Sequence, residues 1–448
     1  MEEHLQNFES KKKVHIQTFG CQMNEYDTRK ILEVLRHENY LQTDYQNEAD
    51  LIILNTCSIR EKAENKVFSE LGRLKKLKLL NPDLKIGVGG CVAQQEGENI
   101  LKRSNSVDFV FGTDNLFELP QMLNKVESGI KISFTKRHKR QKVRNFIPNY
   151  TFTQSKNFGI KAQIAITKGC NNHCSFCVVP FTRGSEVSRE PENILSETKR
   201  LVDAGVKEIC LLGQNVNSYK AKGINFVGLL KSLDEIENLR RIRFISPHPK
   251  DFKIDLVNAF VNLPSLCEQM HLPLQSGSDR ILRKMRRWYT MEKFYEKVSM
   301  LRDRIPQATI STDLIVGFPG ETEKEFEMTM DAVRRVRFDL IYAFKYSPRP
   351  GTKAAEYTEH ISEKVKSERL NILLKTQEKI IKEKNELLKG SIQEVLIEGR
   401  HYRRENFLTG RSRGYHSLLV KDCGIEIGKI LPVRITGTNK SSLMAEPI

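Results

Sequence analysis

Three strand-like runs near the amino terminus each end on a cysteine, and each is followed by a stretch with helical pattern. Few folds accept that alternation. The runs are Val14–Cys21 (VHIQTFGC), Ala49–Cys57 (ADLIILNTC) and Leu84–Cys91 (LKIGVGGC). Helix-like stretches cover 25–38 and 58–80, and Ser58 is placed to cap the second. Strands alternating with helices build a parallel sheet, whose carboxyl ends share one edge where ligands bind. Cys21, Cys57 and Cys91, separated by 36 and 34 residues, are therefore expected to meet in space. Gly20, Gly89 and Gly90 beside them let the backbone approach a bound group. A single buried cysteine is an ordinary small hydrophobe. Three at successive strand ends read instead as thiolate ligands of an iron–sulfur cluster.

A second set is packed more tightly in sequence. Cys170, Cys174 and Cys177 lie in KGCNNHCSFCVVPFTRG, directly after the apolar run Gln163–Thr167. A structural zinc site wants four protein ligands and usually a second CxxC pair, and none follows. Zinc on the three cysteines plus His173 is the plain alternative. A cubane cluster held by only three cysteines leaves one iron open to bind something else, which makes it a site for chemistry.

The 448 residues predict about three domains. No secretory leader and no apolar run near the ~18 residues of a membrane span occur, and Glu2, Glu3 and Glu9 argue against a transit peptide. With an odd count of 9 cysteines and no leader, the chain reads as soluble, cytoplasmic and without disulfides, and monomer is the default oligomeric state. A net charge of +17 draws it toward a polyanion in a salt-sensitive way, although a merely well-solvated surface explains excess lysine too.

Lys131–Tyr150 is basic, aromatic-punctuated and aperiodic, and reads as a linker or extended arm. Beyond it, six strand candidates alternate with helices: Gln163–Thr167, Glu208–Gly213, Arg241–Ser246, Gln269–Leu274, Ala308–Phe318 and Asp339–Ser347. Six such units suggest a partial parallel barrel with its working face at the strand carboxyl ends. Polar residues gather there: Gln214, Asn215 and Asn217, Ser246 and His248, Gln275 and Ser276, Asp313, Tyr346 and Arg349. Each is also a plausible turn or cap residue. Asp313, inside the run TISTDLIVGF, needs a partner to be buried. Gly317–Thr322 (GFPGET) looks like a tight strand-to-helix turn offering amides to an anion, or simply a helix cap. His248 and His271 read as structural, and Cys210, Cys267 and Cys423 as incidental thiols.

A long charged helix is expected over Glu363–Lys389, bridging to five short strand-like runs that suggest a small antiparallel barrel. Arg400, Arg403, Arg404, Arg411 and Arg413, interleaved with Tyr402 and Phe407, suit recognition of single-stranded or loop RNA.

The spacing CxxxCxxC resembles the radical S-adenosylmethionine superfamily. TFGCQMNEYDTRK, LNTCSIREKAENKVFSELGRLK, GGCVAQQEGE, KGCNNHCSFCVVPFTRGSEVSRE, SPHPKD, HLPLQSGSDRIL, DLIVGFPGETEKEF and YSPRPGT together resemble the methylthiotransferase family, in its branch acting on isopentenylated adenosine of tRNA. The resemblance implies an α/β fold in three parts. These are a methylthiotransferase amino-terminal domain (12–130), a radical barrel after the 131–158 linker (159–387) and a TRAM domain binding tRNA (388–448). It implies two [4Fe-4S] clusters, one on Cys21, Cys57 and Cys91 and one on Cys170, Cys174 and Cys177. It further implies S-adenosyl-L-methionine, used once to methylate a sulfur at the first cluster and once as the source of a 5′-deoxyadenosyl radical. An external electron donor and a sulfur source complete the reaction. Gln214, Asn215, Gln275 and Ser276 are expected to bind cofactor, and Asp313, Tyr346 and Arg349 to position substrate or cofactor. Sister branches modify threonylcarbamoylated adenosine in tRNA or an aspartate of a ribosomal protein. A non-catalytic RNA-binding protein braced by metal is the alternative of another class.

Overall fold

The computed structural model describes residues 11–58, 61–138, 159–439 and 442–448. It divides into two compact units, Met1–Gln154 with Val178–Val187, and Ser155–Cys177 with Ser188–Ile448.

The first unit is a six-stranded sheet in which every pairing is parallel. Its order is Tyr40–Gln42, Lys12–Thr18, Leu51–Thr56, Lys85–Gly90, Phe109–Phe111 and Ile132–Phe134. Leu51–Thr56 is buried at every position, as a strand covered on both faces must be. Ile132–Phe134 corrects the linker reading, because these residues pair with Phe109–Phe111 as an edge strand. Residues 139–158 of that linker lie outside the described residues. So does the junction at Ile59–Arg60, where the Ser58 cap was expected, and the described helix begins at Glu61.

Each of the three glycines lies hard against the chain itself. A Cβ on Gly20, whose φ is +121°, would fall 2.1 Å from Cys57 Cβ. At Gly90 it would meet Thr56 O at 2.3 Å, and at Gly89 the Phe111 ring.

The second unit holds the six expected strands as two parallel triplets, Lys161–Ala165, Glu208–Leu212 and Arg241–Phe244, then Gln269–His271, Thr309–Val316 and Leu340–Lys345. A single parallel bridge, Ile242 to Leu266, continues the first triplet. Helices Pro191–Asp203, Ile254–Asn262, Met291–Arg304 and Glu323–Val336 bury apolar faces in one core with Ile164, Ile209, Leu211, Ile310 and Leu314. The strand Thr309–Val316 ends where Gly317 takes a φ of +69°. No anion is needed at the turn that follows. Thr322 and Glu325 form a capping box, and Glu321 accepts from the Gly317 N–H at 2.7 Å while paired with Arg369.

The helix Glu363–Leu387 buries Lys366, Arg369, Leu373, Gln377 and Ile380, one stripe at helical spacing, and Gln377 Nε2 donates to Phe338 O at 2.8 Å. It leads into a closed five-stranded barrel ordered Ile392–Arg400, Phe407–Ser412, Ser417–Lys421, Leu443–Pro447 and Ile430–Thr438. One pairing departs from the antiparallel expectation, since Ser417–Lys421 and Leu443–Pro447 run parallel. Among the described residues no helix is long and apolar enough to cross a membrane.

Candidate metal centre

The loop after the first barrel strand is held by the chain's own hydrogen bonds. The Gly169 N–H donates to Gln214 Oε1 at 2.6 Å, and Ser175 is fixed three ways, through its N–H to Met285 O, its hydroxyl to Lys284 O and its carbonyl to the Ala354 N–H. Phe176 packs edge-on against Phe318, anchoring the loop between the second and third cysteines in a small apolar cluster that includes Tyr346. Cys170 is buried, and its sulfur accepts from the backbone N–H and the side-chain amide of Asn172, both at 3.4 Å. Cys174 accepts at 3.5 Å from Nη1 of the buried Arg287.

N–H donors and a buried cation aimed at thiol sulfurs make a setting for an anionic centre. A cubane on three thiolates is one, because the thiolate charge outweighs that of the iron–sulfide core. Among the described residues no three His, Cys, Asp or Glu side chains converge as ligands of one ion do. His173, the fourth ligand of the zinc alternative, is exposed.

In the first unit the other three cysteines stand at the carboxyl edge of the sheet, as the strand pattern requires. Cys21 immediately precedes the helix Gln22–His37, Cys57 follows the central strand, and Cys91 opens the helix Cys91–Glu96. Asn24 and Asn55 lock this edge, with Asn24 Nδ2 donating to Thr56 O and Asn55 Nδ2 to Asn24 O, each at 2.8 Å. The helix start is thereby held against the end of the central strand. A hydrogen bond from Cys57, with the nearby Arg183 guanidinium, pushes the Cys21 thiol down to about 6. Arg183 is buried, bonds Asp27 at 2.7 Å and lies in the field of Cys21 and Cys91.

The three segments match three families. Residues 13–112 match "Uncharacterized protein family UPF0004", residues 164–333 the "Radical SAM superfamily", and residues 386–448 the "TRAM domain". A protein of Thermodesulfovibrio yellowstonii called tRNA-2-methylthio-N(6)-dimethylallyladenosine synthase is 44% identical over 436 residues, covering 97% of this chain and 98% of its own. The protein of that name from Clostridium botulinum strain Hall is 46% identical over 444 residues, covering 97% and 96%. The chain belongs to the tRNA-2-methylthio-N(6)-dimethylallyladenosine synthase family. Among solved structures, the radical S-adenosylmethionine methyltransferase TsrM of Kitasatospora setae superposes with a TM-score of 0.58 at 13% identity, covering 77% of each chain. At that identity the likeness bears on the fold alone.

For a member of this family, the other polar residues at the barrel mouth sort by what they touch. Asp313 finds its expected partner in His271, whose Nε2 lies 3.3 Å from Oδ2, while His271 Nδ1 faces Ser311 Oγ at 3.0 Å. Tyr346 is buried with its hydroxyl unpartnered among the described residues, and burial raises that hydroxyl to about 12. Arg349 is half-buried. Gln214 is engaged by the cysteine loop, and Asn215 joins Asp251 at 2.8 Å and the His248 N–H. The Ser276 hydroxyl is fully buried and accepts from Ser278 N in its own turn. Gln275 takes a φ of +73° and pairs as a single bridge with Leu314. Two buried arginines escaped the sequence reading. Arg183 stands six residues past Cys177 and was open to notice, whereas Arg287 is joined to Cys174 only by folding.

The proposed RNA cluster of the terminal barrel also needs revision. Arg413 makes a two-pronged ion pair with Glu268, and Arg411 is bonded to Tyr415 O and stacked on the Tyr415 ring. Both are spent inside the unit. Tyr402 remains 81% exposed, with Arg403 over its ring at 4.9 Å, and Arg404 lies 5.9 Å from the Phe407 ring.

Proposed function

We propose that this chain is a methylthiotransferase, placing a methylthio group on carbon 2 of N6-isopentenyladenosine in tRNA with two [4Fe-4S] clusters and S-adenosyl-L-methionine. The observation that carries this is the end-to-end similarity to curated synthases in a chain whose two cysteine triplets stand at strand carboxyl ends. Cys170, Cys174 and Cys177 would hold the cluster with the open iron, and Cys21, Cys57 and Cys91 the other. When bound, the clusters and S-adenosyl-L-methionine supply the radical and sulfur chemistry that an unactivated C–H bond demands. The chain's own part is to grip the sulfurs, keep the cysteine loops rigid and hold the base. Asp313 with His271, Tyr346 and Arg349 are the groups we assign to positioning substrate or cofactor. Electron donor and sulfur source come from outside, and we place the reaction in the cytoplasm with a monomeric enzyme.

The test is anaerobic reconstitution with iron and sulfide, then incubation with isopentenylated tRNA, S-adenosyl-L-methionine and reductant. Digested nucleosides should gain a methylthio group by mass. A gain on threonylcarbamoyladenosine, or on a ribosomal-protein aspartate, would move the substrate to a sister branch. Absence of acid-labile sulfide from the protein would favour the metal-braced RNA-binding alternative.

The exposed loop 401–407 gives a separate expectation. Base–aromatic stacking is worth about 1–3 kcal/mol per base, so Tyr402→Ala should weaken tRNA binding by about tenfold or more. Arg403→Ala with Arg404→Ala should also flatten the dependence of binding on salt. Filter binding across a salt series measures both. Unchanged affinity in both variants would take the loop out of the interface.

A further inference from the structure

We propose that Arg287 sets the reduction potential of the cluster held by Cys170, Cys174 and Cys177, its guanidinium hydrogen-bonding the Cys174 sulfur and favouring the reduced, more negative state. This rests on the reading that those cysteines carry a cluster.

The first support is a charge imbalance. Arg287 is 6% exposed, and its guanidinium also bonds two neutral groups, Pro273 O at 2.9 Å and the Tyr289 hydroxyl at 3.2 Å. Among the described residues no carboxylate pairs with it. The aromatic groups beside it are neutral as well. Burial, aided by Arg287 and Lys250, pushes His248 down to about 2, and burial raises the Tyr289 hydroxyl. Isolating a cation from water in that way is costly unless a counter-charge arrives. Cys174, as a thiolate ligand, provides it.

Backbone geometry is the second support. Arg286 and Trp288, on either side, both sit in the left-handed region, at φ +58° and +60°. Neither is glycine, and Trp288 is bulky and 69% exposed, so its own packing does not repay the conformation. Such strain persists where surrounding structure imposes it, commonly at functional sites. Here the two turns present the intervening side chain inward, while Met285 and Lys284 carbonyls clamp Ser175 of the cysteine loop. One segment thus both holds the loop and aims a charge at it.

The sign follows from electrostatics. One-electron reduction adds negative charge to the cluster, so a fixed cation and an N–H donor at its sulfur raise the potential, and their removal lowers it. The experiment is redox titration of the reconstituted full-length enzyme followed by electron paramagnetic resonance. It is run in a Cys21→Ala, Cys57→Ala, Cys91→Ala background so that a single cluster signal is read. Arg287→Met should make reduction harder by about tenfold or more in equilibrium constant, a shift of about 59 mV for one electron. Arg287→Gln, which keeps a donor without charge, should shift less than Met, and Arg287→Lys least. Should Met destabilise the loop, Gln and Lys still report. Wild-type potentials in the Met and Gln variants, or a Lys shift as large as Met, would overturn the proposal. So would iron lost from every variant with no shift in what remains, which is the signature of a purely structural clamp. Failure of the underlying reading looks different: the background protein with native Arg287 would itself lack iron and sulfide.

Discussion

Cys174→Ala should abolish both release of 5′-deoxyadenosine and methylthiolated nucleoside. Cys57→Ala should lose only the second. The two outcomes differ because the triplets are proposed to carry separate parts of the reaction. Removing one of three thiolates in the Cys170 loop strips a ligand from the cluster with the open iron, so the cofactor is not cleaved. Each product should fall by at least about a thousandfold, equal to about 4 kcal/mol of barrier. Cys57 sits on the first unit, at the end of a central strand whose burial is complete, and its loss leaves the Cys170 loop's own hydrogen bonds untouched. Uncoupled cleavage of S-adenosyl-L-methionine should therefore continue under reductant. Liquid chromatography with mass detection of both products from one reaction decides the matter. If Cys57→Ala also stopped 5′-deoxyadenosine release, the division of labour would be wrong. Measured iron should drop by roughly half in either variant, which separates cluster loss from unfolding.

How far the sequence led depended on whether the signal was local. Strand–helix alternation and apolar runs located all six barrel strands to within a few residues, since a strand buried on both faces is written as a continuous apolar stretch. That Cys21, Cys57 and Cys91 share one sheet edge was legible because strand ends of a parallel sheet lie together, which is topology rather than contact. What stayed hidden was the choice of partner. Asp313 announced that it needed one, but nothing in the chain singled out His271. The arginines of the terminal barrel looked equivalent in sequence, yet Arg413 is consumed by Glu268 while Arg403 lies open. Ile132–Phe134 was too short and too polar in its surroundings to read as a strand, and is one only because a sheet edge was waiting for it. The three glycines signalled close approach, and folding alone shows which parts of the chain come close to them.

Arg243→Met should destabilise the second unit by about 3–5 kcal/mol and loosen the terminal barrel from the radical barrel. Arg243 is 3% exposed and its Nε lies 3.0 Å from Glu208, itself buried, at the amino-terminal end of the strands. Its other nitrogens donate to Arg413 O at 2.6 Å, Ser412 O at 2.8 Å and Gln269 Oε1 at 3.0 Å. Arg241 beside it donates to Arg411 O and Glu394, so two buried guanidiniums from barrel strands hold carbonyls of the turn at 411–413. Methionine fills most of the volume but satisfies none of these acceptors, and among the described residues it leaves Glu208 with Arg241 alone as a cation partner, at 3.8 Å. A buried carboxylate left with one distant cation and two orphaned carbonyls are each expensive. Urea unfolding should show the loss, and limited proteolysis should cut at the end of the helix Glu363–Leu387 to release the terminal barrel earlier than in the native protein. Because much of the penalty is the stranded charge rather than the missing bond, Glu208→Gln in the same chain should recover part of it, a coupling that a double-mutant cycle reads directly. A strictly additive cycle would mean that Arg243 acts through the carbonyls alone. With the terminal barrel loosened, tRNA should bind as tightly to the exposed loop at 401–407 yet be modified more slowly, because a base held on a swinging arm spends less time in reach of the site.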